Sequence, residues 1–382
     1  MKILFCAKFF LPGFGGGEAA VHSFLKYAIS CGYECTALCF RNGLTIQPFK
    51  ESNTLKVDGI KIIQSCESET NAEYIKKFLE EEKPDVVFTQ STNSLLYLQI
   101  AKELNIKTIL AIHFYNEIIS TSQPYFIDVL SNNPSIQIEK ERQEVFKLAD
   151  EFFVNSEFMA DVIKKYVGIK CKHVIYPPIN LDKIIATDKN PQNITYINLC
   201  IGKGFKVAVQ LAAMLPQYRF QIVGALYDRT LPNLTVYNQA NALKNVFFTG
   251  HIDNMSEVYK STKILLMPSL VAETYSMTTV EAFWNGIPVI GGTQGNLPYL
   301  IDNNCGKIID TNNLKAWKDE IENLMNNNRY YGKKCRYVCE YTQKFHPEEQ
   351  CQKFIKLVDN LIENNRDTRG KIPLPGMLRS GV

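Results

Sequence analysis

The sequence predicts an α/β fold: two Rossmann-like domains facing each other across a cleft. Three observations carry that expectation. Short apolar runs alternate with amphipathic stretches along nearly the whole chain, the pattern of parallel strands joined by helices. The alternation breaks at Pro177-Pro178 and the polar segment Asp188–Gln192, then resumes. A chain of 382 residues, 46% hydrophobic and 21% charged, is long and apolar enough for two domains with cores of their own.

The first domain is expected over 1–180. Lys2–Ala7 reads as a strand, Gly13–Gly17 as a loop and Glu18–Ser30 as a helix. Cys35–Phe40 and Ile60–Ile63 read as strands. Glu73–Glu82 reads as a helix closed by Pro84, and Asp85–Thr89 as the next strand. Leu95–Leu104 reads as helix, and Thr108–Ile112 as a strand ending at His113. Ile136–Leu148 reads as helix and Glu151–Val154 as a strand leading into Asn155-Ser156. Phe158–Tyr166 is then helical and His173–Tyr176 a last short strand.

The second domain is expected over 181–345. Its strands are Ile194–Cys200, Phe220–Val223, Val246–Thr249, Ile264–Met267, Val289–Ile290 and Lys307–Ile309. Its helices are Phe205–Leu215, Ser256–Ser261, a segment capped by Thr274 or Ser276 and ended by Gly286, Leu314–Asn326 and Arg329–Phe345. A carboxyl-terminal helix over 346–365, with Glu348–Glu363 as its patterned part, precedes a tail over 366–382 that is expected to be mobile.

Bulk chemistry excludes several classes. A net charge of +3 predicts no nucleic-acid partner. Residues 1–179 hold 19 basic against 21 acidic side chains, without the basic excess of a strongly membrane-docked face. Eleven cysteines without a Cys-x-x-Cys pair point to a reducing compartment rather than a disulfide framework. The amino end is too short an apolar run for a signal peptide, and no apolar run is long enough to span a bilayer. A cytoplasmic protein is expected, with peripheral membrane contact left open.

The most informative stretch runs from Pro268 to Pro288. Glu273 falls on the loop after an apolar strand, and Glu281 about one and a half turns into the next helix. Strand carboxyl ends are where α/β proteins bind ligands, and a helix N-terminus offers unpaired N–H groups to an anion. Two carboxylates that accept hydroxyls beside an anion site suit a sugar nucleotide. The bland alternative is a loop carboxylate plus an ordinary helix glutamate. Against it, Glu281 lies among Val280, Ala282 and Phe283, where a carboxylate needs donors.

Three further signals support a ligand site. Gly15-Gly16-Gly17 opens a helix after the first strand and permits close backbone approach, although a tight ligand-free turn would look the same. His113 ends a strand; a histidine satisfied by loop backbone is the alternative. Lys203, between Gly202 and Gly204 after a strand, can reach a phosphate as a point charge, where the alternative is a solvated lysine. There is no P-loop, no Gly-x-Ser-x-Gly elbow, no His-Glu-x-x-His and no Asp-x-Asp pair for a metal–diphosphate site.

These residues resemble the retaining GT-B glycosyltransferases of family 4, the glycosyl transferases group 1 family. Glu273-x7-Glu281-Ala-x3-Gly286-x-Pro288-Val289 is similar to its Glu-x7-Glu signature, and Gly16-Gly17-Glu18 to its amino-terminal glycine loop. Asn155-Ser156-Glu157-Phe158, Pro177-Pro178, Phe248-Thr-Gly250-His251 and Met267-Pro268-Ser269 match further landmarks, so the resemblance covers nearly the whole chain. Three positions depart from it. Asn198 stands where the family has an arginine, Tyr275-Ser276 replaces a common Phe-Gly, and Tyr299 replaces a late glutamate.

The resemblance implies a retaining, metal-independent transfer of a hexose-type sugar from a nucleoside-diphosphate sugar to a glycan, glycolipid or other hydroxyl acceptor, as in polysaccharide biosynthesis. No cofactor or metal is implied. Glu281 would hold the ribose, and Glu273 the transferred sugar. Lys203 with backbone amides around Gly16, Gly17, Met277 and Thr278 would hold the diphosphate, with Asn198 in the arginine's place, and His113 would contact the sugar. The second domain would carry the donor and the first the acceptor, with Tyr115, Asn116 and Glu117 as candidate lining residues. The last helix would cross back to the first domain. A GT-B sugar-nucleotide epimerase and a catalytically weak sugar-nucleotide or glycan-binding protein are the alternatives.

Overall fold

A computed structural model describes residues 1–11, 15–90, 93–115, 142–226 and 229–369, without the side chains of 142 and 364–369. The expected positions Gly13, Asn116 and Glu117, the first part of the Ile136–Leu148 helix and the end of the tail lie outside these residues. By contact density the chain forms two compact units. The first draws on residues up to 115, on 142–153 and on the chain from 351; the second draws on 154–226 and 229–350.

In the first unit the strands are β1 (Lys2–Phe9), β2 (Glu34–Arg41), β3 (Asn53–Val57), β4 (Ile60–Gln64), β5 (Val86–Gln90), β6 (Lys107–Ile112) and β7 (Glu151–Val154). They form one sheet in the order β3-β4-β2-β1-β5-β6-β7. The pairs from β4 through β6 are parallel, and β3 joins β4 antiparallel at the edge. The order reverses between β1 and β5, which makes their carboxyl ends the switch point where such sheets bind ligands. From Cys351 the last helix packs in this unit: Phe354 stacks on Phe24 at 4.9 Å and lies 5.0 Å from Phe88.

In the second unit the strands are β8 (Asn193–Ile197), β9 (Phe220–Val223), β10 (Val246–Gly250), β11 (Thr262–Met267), β12 (Val289–Gly291) and β13 (Gly306–Ile308). Their order is β10-β9-β8-β11-β12-β13, all parallel, with the reversal between β8 and β11. Alternate residues of β11 feed opposite cores, as the two-residue period of a strand requires. Ile264 and Leu266 join Trp317, Ile321 and Leu324. Leu265 and Met267 join Val280, Phe283 and Phe345. Residues 154–180, read from sequence as part of the first domain, group with this unit. Ser156 Oγ donates to the Thr274 carbonyl at 2.5 Å, and Tyr176 stacks on Tyr275 at 5.8 Å.

Several expected elements differ. His173–Tyr176 is not a strand but a single parallel bridge of Val174 to Val154. The Tyr176 N–H turns instead to Gln350 Oε1, and the two prolines after it have no N–H to extend a ladder. The strand expected over Ile194–Cys200 stops at Ile197, because Asn198 takes φ +90° and leaves the extended path. The helix expected over Arg329–Phe345 is α-helical only over Asn328–Tyr341, and its end tightens to a 3-10 turn. The last helix continues to Arg369 rather than ending at Glu363, since no Gly or Pro intervenes before Gly370. Strand β3 and the helices Leu231–Asn241 and Leu297–Leu300 were not anticipated.

Candidate active site

In the second unit the loops on either side of the switch point are tied together. The backbone N–H groups of Leu270 and Val271 both donate to the Gly202 carbonyl, at 2.9 and 3.0 Å. Gly204 has φ +88°, and a Cβ there would fall on the Pro268 carbonyl oxygen, so only glycine allows this approach. The result is a close ion pair: Lys203 Nζ lies 2.8 Å from each carboxylate oxygen of Glu273. Ser269 Oγ donates to Glu273 Oε1 at 2.9 Å, and Glu273 is only 9% exposed.

A third loop, after β12, fixes the backbone of Glu273. Gly295 has φ +64°, and a Cβ there would overlap the Glu273 backbone. The Asn296 N–H donates to the Glu273 carbonyl at 2.7 Å, and Asn296 Nδ2 to the Tyr275 carbonyl at 2.8 Å. The helix Met277–Trp284 begins after Ser276, whose φ is +74°. The Ser276 hydroxyl pairs with Thr279 Oγ1 at 2.8 Å and makes no bond to the helix backbone. The N–H groups of the first turn, at Met277 and Thr278, have no intrahelical partner by the geometry of any α-helix. Thr278 Oγ1 lies 3.4 Å from Met267 Sδ.

Glu281 lies farther along that helix. Tyr259, fully buried, donates its hydroxyl to Glu281 Oε2 at 2.7 Å. Burial holds the Glu281 carboxyl above its usual range, and the Tyr259 hydrogen bond opposes that shift. Asn198 sits exposed at the end of β8, its N–H donating to the Val223 carbonyl at 2.9 Å.

In the first unit the helix Gly16–Ser30 starts at Gly15, which caps it without a side chain. A Cβ on Gly15 would meet the Glu18 carboxylate, which folds back toward the helix start. Burial raises the Glu18 carboxyl. Gly16 is exposed. A Cβ on Gly17 would lie 3.6 Å from both the Gln90 carboxamide and His113 Cβ, so these three positions adjoin. Gly17 lies in the first turn of the helix after β1, Gln90 ends β5 and His113 follows β6, and these three strands are neighbours at the switch point. The His113 ring meets Phe153 edge-on at 6.0 Å, and burial lowers its pKa to about 4, so the imidazole is neutral near pH 7. Tyr115 is fully buried.

The structure thus brings together Lys203 and Glu273 in one unit, and Gly17 and His113 in the other. Met277, Thr278 and Glu281 share one helix. Sequence reasoning missed Gln90, Tyr259, Gly295 and Asn296. Gln90 ends a strand as His113 does, so the same rule applied to it. The other three act through contacts distant in sequence. Among the described residues no group of three or more His, Cys, Asp or Glu side chains is placed to hold a metal ion. No helix among them is long and apolar enough to cross a membrane.

The family model described as Glycosyl transferases group 1 matches residues 180–345, and that of Glycosyltransferase Family 4 matches 14–183. No curated protein matches the chain. Among solved structures, the chain is similar to sucrose-phosphate synthase from Thermosynechococcus elongatus, with TM-score 0.75, 16% identity and coverage of 95% of this chain and 99% of that one. A glycosyltransferase from Rickettsia africae gives TM-score 0.76 and 17% identity, with coverage of 95% and 99%. HepE of Anabaena in complex with UDP-glucose gives TM-score 0.71 and 14% identity, with coverage of 94% and 100%. At these identities the structures show the fold, which is GT-B. With one family model on each half, the chain belongs to the glycosyl transferases group 1 family and is a glycosyltransferase.

Proposed function

We propose that the chain is a retaining, metal-independent transferase that moves a hexose-type sugar from a nucleoside-diphosphate sugar to a glycan, glycolipid or other hydroxyl acceptor. The observation that carries this reading is the Lys203–Glu273 pair, held at a switch point beside the helix that bears Met277, Thr278 and Glu281. In this reading Lys203 and the first-turn N–H groups of Met277 and Thr278 take the diphosphate, with the backbone at Gly16 and Gly17 and the Asn198 carboxamide assisting. Glu281 accepts the ribose hydroxyls. Glu273 accepts a hydroxyl of the transferred sugar, and neutral His113 hydrogen-bonds the same sugar.

The bond from the anomeric carbon to the diphosphate breaks as charge grows on the departing phosphate, where Lys203 and the amides stabilise it. Such preorganised charge is commonly the largest catalytic contribution. The acceptor oxygen bonds the same face of the anomeric carbon, and its proton passes to the departing phosphate. The donor unit would be the second and the acceptor unit the first. HepE, solved with UDP and with UDP-glucose, favours a uridine donor as the first choice.

The test is transfer and donor hydrolysis with a panel of UDP-, GDP-, ADP- and dTDP-sugars, with and without a chelator. Turnover that survives the chelator, with product of unchanged anomeric configuration by NMR, is expected. Absence of both turnover and binding for every donor rejects the reading.

A further inference from the structure

Glu281 is a carboxylate in apolar surroundings, and it is the group assigned above to the ribose. A carboxylate offers about four lone-pair sites on two oxygens, and left to itself it rotates among rotamers. Here one oxygen is already engaged: the Tyr259 hydroxyl donates to Oε2 at 2.7 Å. The Tyr259 ring is fully buried and belongs to the same core as Leu265, Val280 and Phe283. Its helix, Ser256–Tyr259, leads into β11, whose neighbour across that core is the helix that carries Glu281. The helix backbone at Glu281 is itself anchored, since Asn285 Nδ2 donates to the Glu281 carbonyl at 2.9 Å and to the Ile184 carbonyl at 2.9 Å.

We propose that Tyr259 is a positioning residue for the nucleotide: its hydroxyl fixes Glu281 Oε2 and thereby presents Oε1 to the ribose hydroxyls. The inference rests on the reading of Glu281 as the ribose acceptor. A phenol suits the task. It reaches the carboxylate from within the core on a rigid ring with few torsions, and it adds no charge. Removing its hydroxyl leaves the ring packing in place, so Tyr259→Phe separates positioning from folding.

The experiment is calorimetric titration of wild type and Tyr259→Phe with UDP, GDP and ADP, repeated for the tightest binder with its 2′,3′-dideoxy form. Tyr259→Phe is expected to weaken the ribonucleotide about two- to tenfold, the scale of having to order one freed side chain on binding. The dideoxy form should bind wild type and variant alike. Equal weakening of both forms, or no weakening of either, overturns the positioning role while leaving the proposed function standing. If wild type binds no nucleoside diphosphate at all, the reading of the site fails and the inference falls with it.

Discussion

The two units build polar corners at the same place, the switch point of a parallel sheet, and by different means. In the second unit the corner is charged and cross-braced: Lys203 and Glu273 pair at 2.8 Å, and three loops are tied to one another through backbone hydrogen bonds and two glycines that admit no side chain. In the first unit the described groups are the Gln90 carboxamide, a buried, neutral His113 and a glycine helix start with the Glu18 carboxylate folded back on it. The same architecture can therefore carry its polar groups in a cross-braced ion pair or in buried, largely uncharged surroundings. The first way should be sensitive to single substitutions, the second to pH.

The largest effect is expected where charge is removed. Glu273→Ala leaves Lys203 without its partner and takes away the proposed sugar contact, so transfer should fall about 10²- to 10³-fold. Steady-state kinetics with the preferred donor check this, and a loss below tenfold would erase the contrast between the corners. Next comes pH. Burial holds His113 at about 4, below the ordinary histidine range, so the unfolded chain takes the proton first. Stability is then full above about pH 6.5 and declines as pH falls toward 4, by at most about 3 kcal/mol. Denaturation midpoints across that range should show the decline in wild type and a flatter profile in His113→Asn.

Glu281→Ala should weaken nucleoside-diphosphate binding about ten- to a hundredfold while leaving the affinity for free sugar unchanged. The smallest effect tests a departure from the family pattern. The Tyr275 hydroxyl is buried with no hydrogen-bond partner among the described residues. Tyr275→Phe should be neutral or more stable by up to about 1 kcal/mol in thermal melts, because an unsatisfied polar group costs free energy.

Legibility in the sequence followed the same divide. The charged corner was readable because Pro268, Glu273, Glu281 and Gly286 fall in one stretch where strand, loop and helix signals are local. What ties it together was not, since Gly204 meets Pro268 and Gly295 meets Glu273 across gaps that spacing does not reveal. Edge strand β3 escaped because it is mostly exposed and lacks apolar alternation, although Asp58-Gly59 is a hairpin signal and both residues do take positive φ. The helix Leu231–Asn241 escaped because only Asn233, Val236 and Ala240 are buried, too sparse a stripe to show a period. The resemblance to a family with Arg and Phe-Gly at the variant positions placed Asn198 and Ser276, but not their left-handed backbones at φ +90° and +74°.

The Lys203–Glu273 pair has a consequence for selectivity. With the cation already neutralised, an arriving anion does not meet a bare positive charge but must displace a carboxylate that holds both of its oxygens 2.8 Å from the ammonium. Entry is thus a contest between two anions for one cation. If Lys203 takes the diphosphate as proposed, singly charged chloride and carboxylates should compete poorly, an uncharged nucleoside should not compete for the cation, and a diphosphate with two adjacent charges should compete well. In the proposed reading the corner would discriminate by charge density before any sugar hydroxyl is touched.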